Sequence, residues 1–377
     1  MRTVALDLGN KNTSYCEVAD GSVVQRGTVS SLESLRCLLG PEQPPARVAI
    51  EACREAWFAH DMLAEWDNQV LLVDTTRSRQ LGIGQHGRKT DRIDAETLAR
   101  AAARGGLPAA HLLSPPRREL RGALGIRRCL VEARAQLITT VRGIAREKGI
   151  RLPGGATHNF VANVRKTQLP QPFRDTVEPL ISVIASIDAQ LAVADAALSQ
   201  LADSEPVIKQ LTTTPGVGTI VAACFVSVVD DAGRFSSAHA LESYLGLVPS
   251  ESTTGGKRRL GSITKKGNPY LRALLVQSAW TVLRRADKSD PLRLWAESLA
   301  SRRGKRIAVI ALARRLVGVL WAMWRDGTVY DAPHLRQQGV RGLRKAQQTL
   351  EQQTLALQAA AKKQSWLKTE MRAASSA

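Results

Sequence analysis

What the chain lacks narrows its chemistry first. Its five cysteines (Cys16, Cys37, Cys53, Cys129, Cys224) are scattered with no Cys-x-x-Cys pair, and its six histidines are equally dispersed. Neither pattern has the ligand spacing of a zinc site, and the thiols read as the reduced, structural ones of a cytosolic protein. No apolar run approaches the length of a membrane span. The N-terminus, Met1-Arg2-Thr3-Val4-Ala5-Leu6-Asp7, places an acid where a signal peptide would continue its apolar core. The expected location is the cytoplasm, with no membrane partner. Acids are also scarce: 34 Asp and Glu stand against 53 Lys and Arg, a net charge of +19 over 377 residues. A surplus of that size, clustered as it is, points to a polyanion, and nucleic acid is the commonest one. With 44% apolar and 23% charged residues, the chain has the balance of a globular protein long enough for two domains.

The stretch that organises the rest is Lys89-Thr90-Asp91-Arg92-Ile93-Asp94-Ala95. Asp91 and Asp94 stand three apart in what reads as the first turn of a helix, so both carboxylates project from one face. Two more acids, Asp7 and Glu51, each end a short apolar run with strand character. An acid at a strand end commonly just caps a turn, but four at ordered positions within the first hundred residues form a pattern. Four converging carboxylates repel one another and take up protons unless a cation neutralises them, which makes sense of the set as a magnesium site.

Spacing predicts strands over 3–8, 13–18 and 22–29 as an antiparallel meander. A helix over 31–39, a strand over 47–51, a helix over 56–66, a strand over 69–74 and a helix over 91–103 follow. Three strands followed by alternating helix and strand is an α/β pattern of the ribonuclease H-like kind, in which the carboxyl ends of neighbouring strands open into one crevice. Residues 77–89, rich in Gly, Arg, Gln and His, read as a mobile basic loop beside it.

Pro115-Pro116 marks a boundary. A long helix over 117–146 carries Arg117, Arg118, Arg121, Arg127, Arg128, Arg134, Arg142 and Arg146, a basic face able to lie along a phosphate backbone. Residues 149–172, with prolines and glycines, read as a linker or loop, and a second long helix over 174–202 is acidic on its polar side. The pair reads as a helical hairpin or coiled-coil arm, or equally as two ordinary core helices. Thr214-Pro215-Gly216-Val217-Gly218 resembles a helix-hairpin-helix turn, in which glycines let backbone N–H groups approach a phosphate. From Tyr244 to Asn268 a hydroxyl-rich, glycine-rich loop holding Ser252, Thr253 and Thr254 leads into the cations Lys257, Arg258, Arg259, Lys265 and Lys266. Such a loop can bring a hydroxyl to a phosphodiester, and composition fits a solvated loop equally well. Apolar helices over 270–283 and 307–324 close a second core, with Trp280, Trp295, Trp321 and Trp324 as packing residues. The tail from 340 to 377, with Leu343, Leu350 and Leu357 at heptad spacing, reads as a weak coiled coil or frayed helix.

Asp7, Glu51 and Lys-Thr-Asp91-x-x-Asp94-Ala, followed by Pro-Gly-Val-Gly, Gly-Leu-Val-Pro-Ser-Glu and Gly-x-Ile-Thr-Lys-x-Gly-Asn in that order, resemble the DEDD transposases of bacterial insertion sequences. That family includes the pilin-gene DNA invertases. The resemblance covers roughly residues 3–325. It implies a RuvC-like DEDD catalytic domain over 1–114 and a helical, coiled-coil arm over 115–205. A mainly α transposase domain over 206–330 with a catalytic serine and a polar tail over 331–377 complete the chain. Carried over residue by residue, Asp7, Glu51, Asp91 and Asp94 are the metal-binding acids, for two Mg2+ ions and no nucleotide cofactor. From the turn glycines and the cation cluster, Gly216, Gly218, Lys257, Arg258, Arg259, Lys265 and Lys266 are the expected nucleic-acid contacts.

Family members commonly show Ser-Ser-Gly or Ser-Thr-Gly where this chain has Thr253-Thr254-Gly255, with Ser252 one place early, so the resemblance implies Thr253 or Ser252 as the nucleophile and leaves Thr254 as a third hydroxyl. The resemblance further implies DNA ends and target as substrates, a structured noncoding RNA as partner, a homo-oligomer, a site shared between domains or protomers, and association with the nucleoid. Three other readings are open. A RuvC-like junction nuclease would hydrolyse crossed strands without a covalent intermediate, and a non-catalytic nucleic-acid-binding protein would not need the acids. Asp7-Leu8-Gly9-Asn10-Lys11-Asn12-Thr13 also resembles the first phosphate loop of actin-like sugar kinases, which would show ATPase activity.

Overall fold

The computed structural model describes residues 2–75, 77, 91–254 and 257–333. The expected basic loop, apart from Arg77, and the tail beyond residue 333 lie outside the described residues. The chain divides into two units, Met1–Leu113 and Ser114–Ala377.

The first unit is built on five strands: β1 (Thr3–Leu8), β2 (Thr13–Ala19), β3 (Ser22–Val29), β4 (Arg47–Glu51) and β5 (Gln69–Val73). Their order across the sheet is β3-β2-β1-β4-β5. β1 pairs antiparallel with β2, and β2 with β3; β1 pairs parallel with β4, and β4 with β5. Asp20 and Gly21 turn the β2–β3 hairpin with φ of 49° and 81°, the left-handed pair that matches the twist of a tight hairpin. The parallel pairs need crossovers, which α1 (Arg36–Leu39) and α2 (Ala56–Glu65) supply. Period-2 alternation sorts the side chains between two layers. Val4, Leu6, Val48, Ile50 and Leu72 pack with Leu35, Leu39, Ala59 and Leu63 on one face. Ala5, Ala49 and Val73 meet Ala95, Leu98, Ala99 and Ala102 of α3 (Asp91–Arg104) on the other. The small residues Ala5 and Ala49 let α3 lie close to the sheet centre.

In the second unit α4 (Pro115–Glu147) and α6 (Gln171–Asp203) run against each other, and their charges pair across the seam. Arg134 donates to Asp188 at 2.7 Å, and Arg127 donates to Asp195. The linker expected over 149–172 instead holds a helix, α5 (Phe160–Lys166), whose Phe160, Val161 and Val164 are buried. They form a separate core with Ile138, Val141, Ala145, Phe173, Val177 and Ile181 at the far end of the pair. Composition alone misread this stretch, because its glycines and prolines bracket the helix rather than interrupt it.

Helices α7 (Pro206–Leu211), α8 (Thr219–Val229), α9 (Ala238–Tyr244), α10 (Pro269–Arg285), α11 (Pro291–Arg303) and α12 (Lys305–Asp326) surround one large core. Residues 222–229 of α8 are all buried there. The four tryptophans pack as expected, with Trp321 donating Nε1–H to the Ala232 carbonyl at 3.0 Å. α6 and α12 are long and apolar enough to cross a membrane by length and composition, with mean hydropathy of 1.6 and 1.7. This corrects the expectation that no run approaches a span. It weighs little, since a core helix passes the same test, and Leu312, Leu316 and Leu320 of α12 are core residues.

Candidate active site

The sheet places two of the four predicted acids side by side. Leu6 pairs with Ile50 in the parallel register, so the next residues, Asp7 and Glu51, stand at the carboxyl ends of neighbouring strands, which run about 4.8 Å apart. They continue the alternation of Ala5 and Ala49, so both side chains leave the sheet on the face that carries α3. The direction of α3 is set by its charges. Arg26 reaches Glu96 at 3.1 Å, and Arg100 donates to the Gly21 carbonyl at the opposite, amino-terminal end of β1. The first turn of α3 therefore lies over the carboxyl ends of β1 and β4, and brings half-buried Asp94 to the end of the face where Asp7 is half-buried and Glu51 exposed. Asp91 opens the same helix, with its side chain outside the described residues.

No group of three or more Asp, Glu, His or Cys side chains among the described residues stands close enough to hold a metal ion. The backbone thus gathers Asp7, Glu51 and Asp94 at one end of one face. The donors are all carboxylate oxygens, which suit a hard cation such as magnesium. Asp74, the next strand-end acid, plays a local part: its Oδ1 accepts from the Arg77 N–H at 3.1 Å.

The hydroxyl-rich stretch is not a loop throughout, as its composition suggested, but a two-stranded antiparallel ribbon, β6 (Pro249–Thr254) and β7 (Lys257–Ile263). Ser252 pairs with Arg259 and Thr253 with Arg258, so the two candidate nucleophiles point to opposite faces of the ribbon. Thr253 donates its hydroxyl to Glu251 Oε1 at 2.8 Å, whereas Ser250 donates to the Ser262 carbonyl. Ser252, Thr253 and Arg259 are exposed; the side chains of Thr254, Lys257 and Arg258 lie outside the described residues. Glu251 closes the Gly-Leu-Val-Pro-Ser-Glu motif in the sequence, but its role is not legible there, since only the ribbon brings it to the Thr253 hydroxyl.

The base of the ribbon is a backbone clasp. Thr264 N–H donates to the Val248 carbonyl at 2.9 Å, and Lys265 N–H to the Gly246 carbonyl at 3.1 Å. Gly246 (φ 68°) and Gly267 (φ 75°) lie against the backbones of Lys266 and Tyr244, leaving no room for a Cβ at either position. Arg272 of α10 ties the clasp together by donating to the carbonyls of Leu245 and Lys266. Burial lowers its guanidinium from the ordinary arginine value. Asn268 caps α10, its Oδ1 accepting from the N–H groups of Tyr270 and Leu271 at 3.0 Å each. Exposed Lys265 and Lys266 are thereby held beside a cleft of about 250 Å³ lined by Arg121, Arg128, Cys224, Asn268 and Tyr270 among others. The Arg128 guanidinium sits 5.0 Å from the Tyr270 ring centre, and burial pushes the Cys224 thiol up to about 12, leaving it inert. Three of the five cysteines, Cys37, Cys53 and Cys129, are exposed, so only Cys16 and Cys224 are buried structural thiols as expected.

Of the predicted phosphate-binding glycines, Gly218 is exposed and N-caps α8. Gly216 (φ 76°) packs so close to α10 that a Cβ would fall 2.7 Å from the Ser278 carbonyl oxygen. The turn between α7 and α8 thus needs Gly216 for interior packing.

Comparison with known proteins places the chain in a family. A DEDD-type IS110 family model described as a transposase matches residues 4–148, and one described as transposase IS116/IS110/IS902 family matches residues 208–293. A probable family 20 transposase of Pseudomonas aeruginosa is 31% identical over 294 residues, covering 76% of this chain and 86% of its own. The transposase for insertion sequence element IS1328 of Yersinia enterocolitica is 29% identical over 337 residues, covering 87% of this chain and 98% of its own. The transposase for IS1111A of Coxiella burnetii is 29% identical over 241 residues, 62% of this chain and 66% of its own. With acids gathered at a sheet end in one unit, a hydroxyl ribbon in the other, and both family models and long relatives in agreement, the chain belongs to the IS116/IS110/IS902 family of transposases, enzymes of DNA strand transfer.

Proposed function

We propose that this protein cuts and rejoins DNA as the transposase of a bacterial insertion sequence, through a magnesium-dependent acidic site and a hydroxyl nucleophile. The observation that carries the reading is the placement of Asp7 and Glu51 at adjacent parallel strand ends under the helix turn that bears Asp94. The strand order, three antiparallel strands followed by two parallel ones, supports a ribonuclease H-like, RuvC-like sheet, and the α4–α6 pair supports an arm of coiled-coil type. Asp7, Glu51, Asp91 and Asp94 would hold the magnesium. When bound, the metal supplies charge neutralisation at the scissile phosphate.

The chain's own residues supply the rest. Between the two candidate hydroxyls, the hydrogen bond to Glu251 favours Thr253, because a carboxylate at 2.8 Å is placed to take the proton as the oxygen attacks phosphorus. Its methyl group crowds the approach without removing the hydroxyl. Lys265, Lys266 and Arg259, exposed on and behind the ribbon, are placed to hold the strand by its phosphates. As the threonine oxygen bonds to phosphorus, the phosphorus–oxygen bond to one strand end breaks and that oxygen leaves as a free hydroxyl, which takes up a proton in place of the one passed to Glu251. The phosphothreonine is still a phosphodiester, so a strand hydroxyl can attack it in turn, release Thr253 and rejoin the strand without a nucleotide cofactor. The +19 charge supports both DNA and a structured RNA as partners, and we read the working form as a homo-oligomer.

Trapping the protein–DNA adduct on a nicked element-end substrate tests the reading. The adduct is expected on Thr253, retained in Ser252→Ala and lost in Thr253→Ala. Asp7→Asn and Glu51→Gln should each lower strand transfer by about 100-fold or more, the scale for losing a group that stabilises the transition state. Cleavage with no adduct would overturn it in favour of a hydrolytic junction nuclease. Unimpaired transfer by Asp7→Asn would leave only nucleic-acid binding.

A further inference from the structure

Most arginines of the arm are spoken for. Arg127 pairs with Asp195, Arg128 with Glu132, Arg134 with Asp188 and, from α5, Arg165 with Glu178. Along α4, Arg127 and Arg134 are thus neutralised by the hairpin partner and Arg128 from within its own helix. At the far end the pattern changes. Arg142, Arg146 and Arg151 line one cleft of about 230 Å³ with Ile150 and Leu152, and none of the three has an acid in ion-pair range among the described residues. Glu147, exposed beside them in sequence, makes no such pair either.

Arg142 is held in place by its ring contact, the guanidinium 5.5 Å from the centre of buried Phe160. Its Nε is buried with no hydrogen-bond partner. A buried, unpartnered N–H on a cation is costly, and three guanidinium groups converging without a counter-charge repel one another. A bound anion relieves both. The cleft is smaller than the roughly 300–1,000 Å³ of most small-molecule sites, so it suits a single phosphate group of a polymer, which arginine forks grip in bidentate fashion. The separate hydrophobic core under the cleft, Ile138, Val141, Ala145, Phe160 and Phe173 among its members, gives the three arginines a fixed platform.

We propose that this cleft at the tip of the arm is a phosphodiester-binding site for the nucleic acid on which the protein works. It lies about 40 Å along α4 from that helix's first residue, at 1.5 Å per residue. The site grips the sugar–phosphate backbone without regard to base sequence, and so anchors the substrate away from the ribbon and its hydroxyls. The proposal rests on the transposase reading for the identity of its ligand and adds to it a second point of attachment.

The test uses the full chain and measures binding rather than strand transfer. Fluorescence anisotropy with a labelled 30-base-pair DNA duplex and with a hairpin RNA of similar length is followed across a salt series. For Arg146→Glu/Arg151→Glu, affinity is expected to fall about tenfold or more, and the slope of log affinity against log salt to become shallower by about 1–2. Each lost phosphate contact contributes roughly 0.9 on duplex DNA and 0.7 on single strands. The neutral pair Arg146→Gln/Arg151→Gln should show a smaller change in the same direction, with helical circular dichroism unchanged. Arg36→Glu/Arg165→Glu removes the same charge from exposed arginines that already face Glu42 and Glu178, and should change binding less than twofold. A loss confined to the duplex assigns DNA to the cleft, and a loss confined to the hairpin assigns RNA. If the tip variants bind like the parent, or lose no more than the control pair, the tip site is refuted while the transposase reading stands. A parent chain that binds neither nucleic acid refutes both.

Discussion

At the scale of single residues, the same chemistry serves different ends according to what surrounds it. Glu17 on β2 is nearly enclosed, with Arg2 Nε donating at 2.6 Å and Gln25 Nε2 at 2.7 Å. Burial alone would raise its carboxyl, but those two hydrogen bonds and the Arg2 charge outweigh it and hold the group below the ordinary glutamate value. A depressed folded-state value means the stabilisation is present above the unfolded-chain value of about 4.3 and is lost as pH falls through the folded one. Glu17→Gln should therefore weaken the first unit at pH 7 by about 1–3 kcal/mol. The gap to the parent should close below about pH 4, as read from hydrogen-exchange protection of β1 and β2. A gap that persists into acid would mean that packing rather than charge is what Glu17 provides. Thr253 shows the converse: an exposed hydroxyl becomes a candidate nucleophile through one carboxylate two residues away.

Secondary-structure elements carry a second layer of meaning. The motifs Gly-Leu-Val-Pro and Lys-x-Gly-Asn look independent in the sequence, yet Gly246 and Gly267 close on one another to form the base of the β6–β7 ribbon. Gly246→Ala would force a left-handed Cβ against the Lys266 backbone. The conformational strain alone costs about 1–3 kcal/mol. The expected result is faster exchange at residues 245–247 and 264–267 and a loss of strand transfer, with the helices around Leu275 and Leu316 intact. Normal exchange there would show that the clasp yields without cost. The arm teaches a related lesson. The arginines look alike along α4, and the fold decides which are neutralised: Arg127 and Arg134 meet Asp195 and Asp188 of α6, Arg117 meets Glu205, and Arg128 meets Glu132 of its own helix.

On the scale of the whole molecule, each unit has its own core and its own contribution to chemistry. The first closes around Leu6, Ile50 and Leu63, the second around Phe225, Leu275 and Leu316. Leu63→Ala, at a fully buried position, should cost the first unit about 2–5 kcal/mol. Exchange protection should fall across residues 3–73 and stay unchanged across α8, α10 and α12. Equal loss in both units would show that they unfold as one. The division into two units matches the order of motifs, with acids in the first hundred residues and the hydroxyl ribbon more than 140 residues later.

Much of this was legible before any coordinates. The alternation of Thr3–Leu8 and Arg47–Glu51 has a period of two, and the spacing of α3, α4 and α6 has a helical period; such local signals depend on neighbouring residues alone. The family likeness, too, could be read from motif order. Other features needed the fold, because each depends on residues remote in sequence. The parallel register sets Asp7 beside Glu51, a buried helix lay within an apparent linker, and the hydroxyl loop paired into a ribbon that turns Ser252 and Thr253 to opposite faces. Sequence period fixes what a segment can become, whereas contacts between distant segments decide which charges meet and which stay bare, as the three arginines at the arm's tip do.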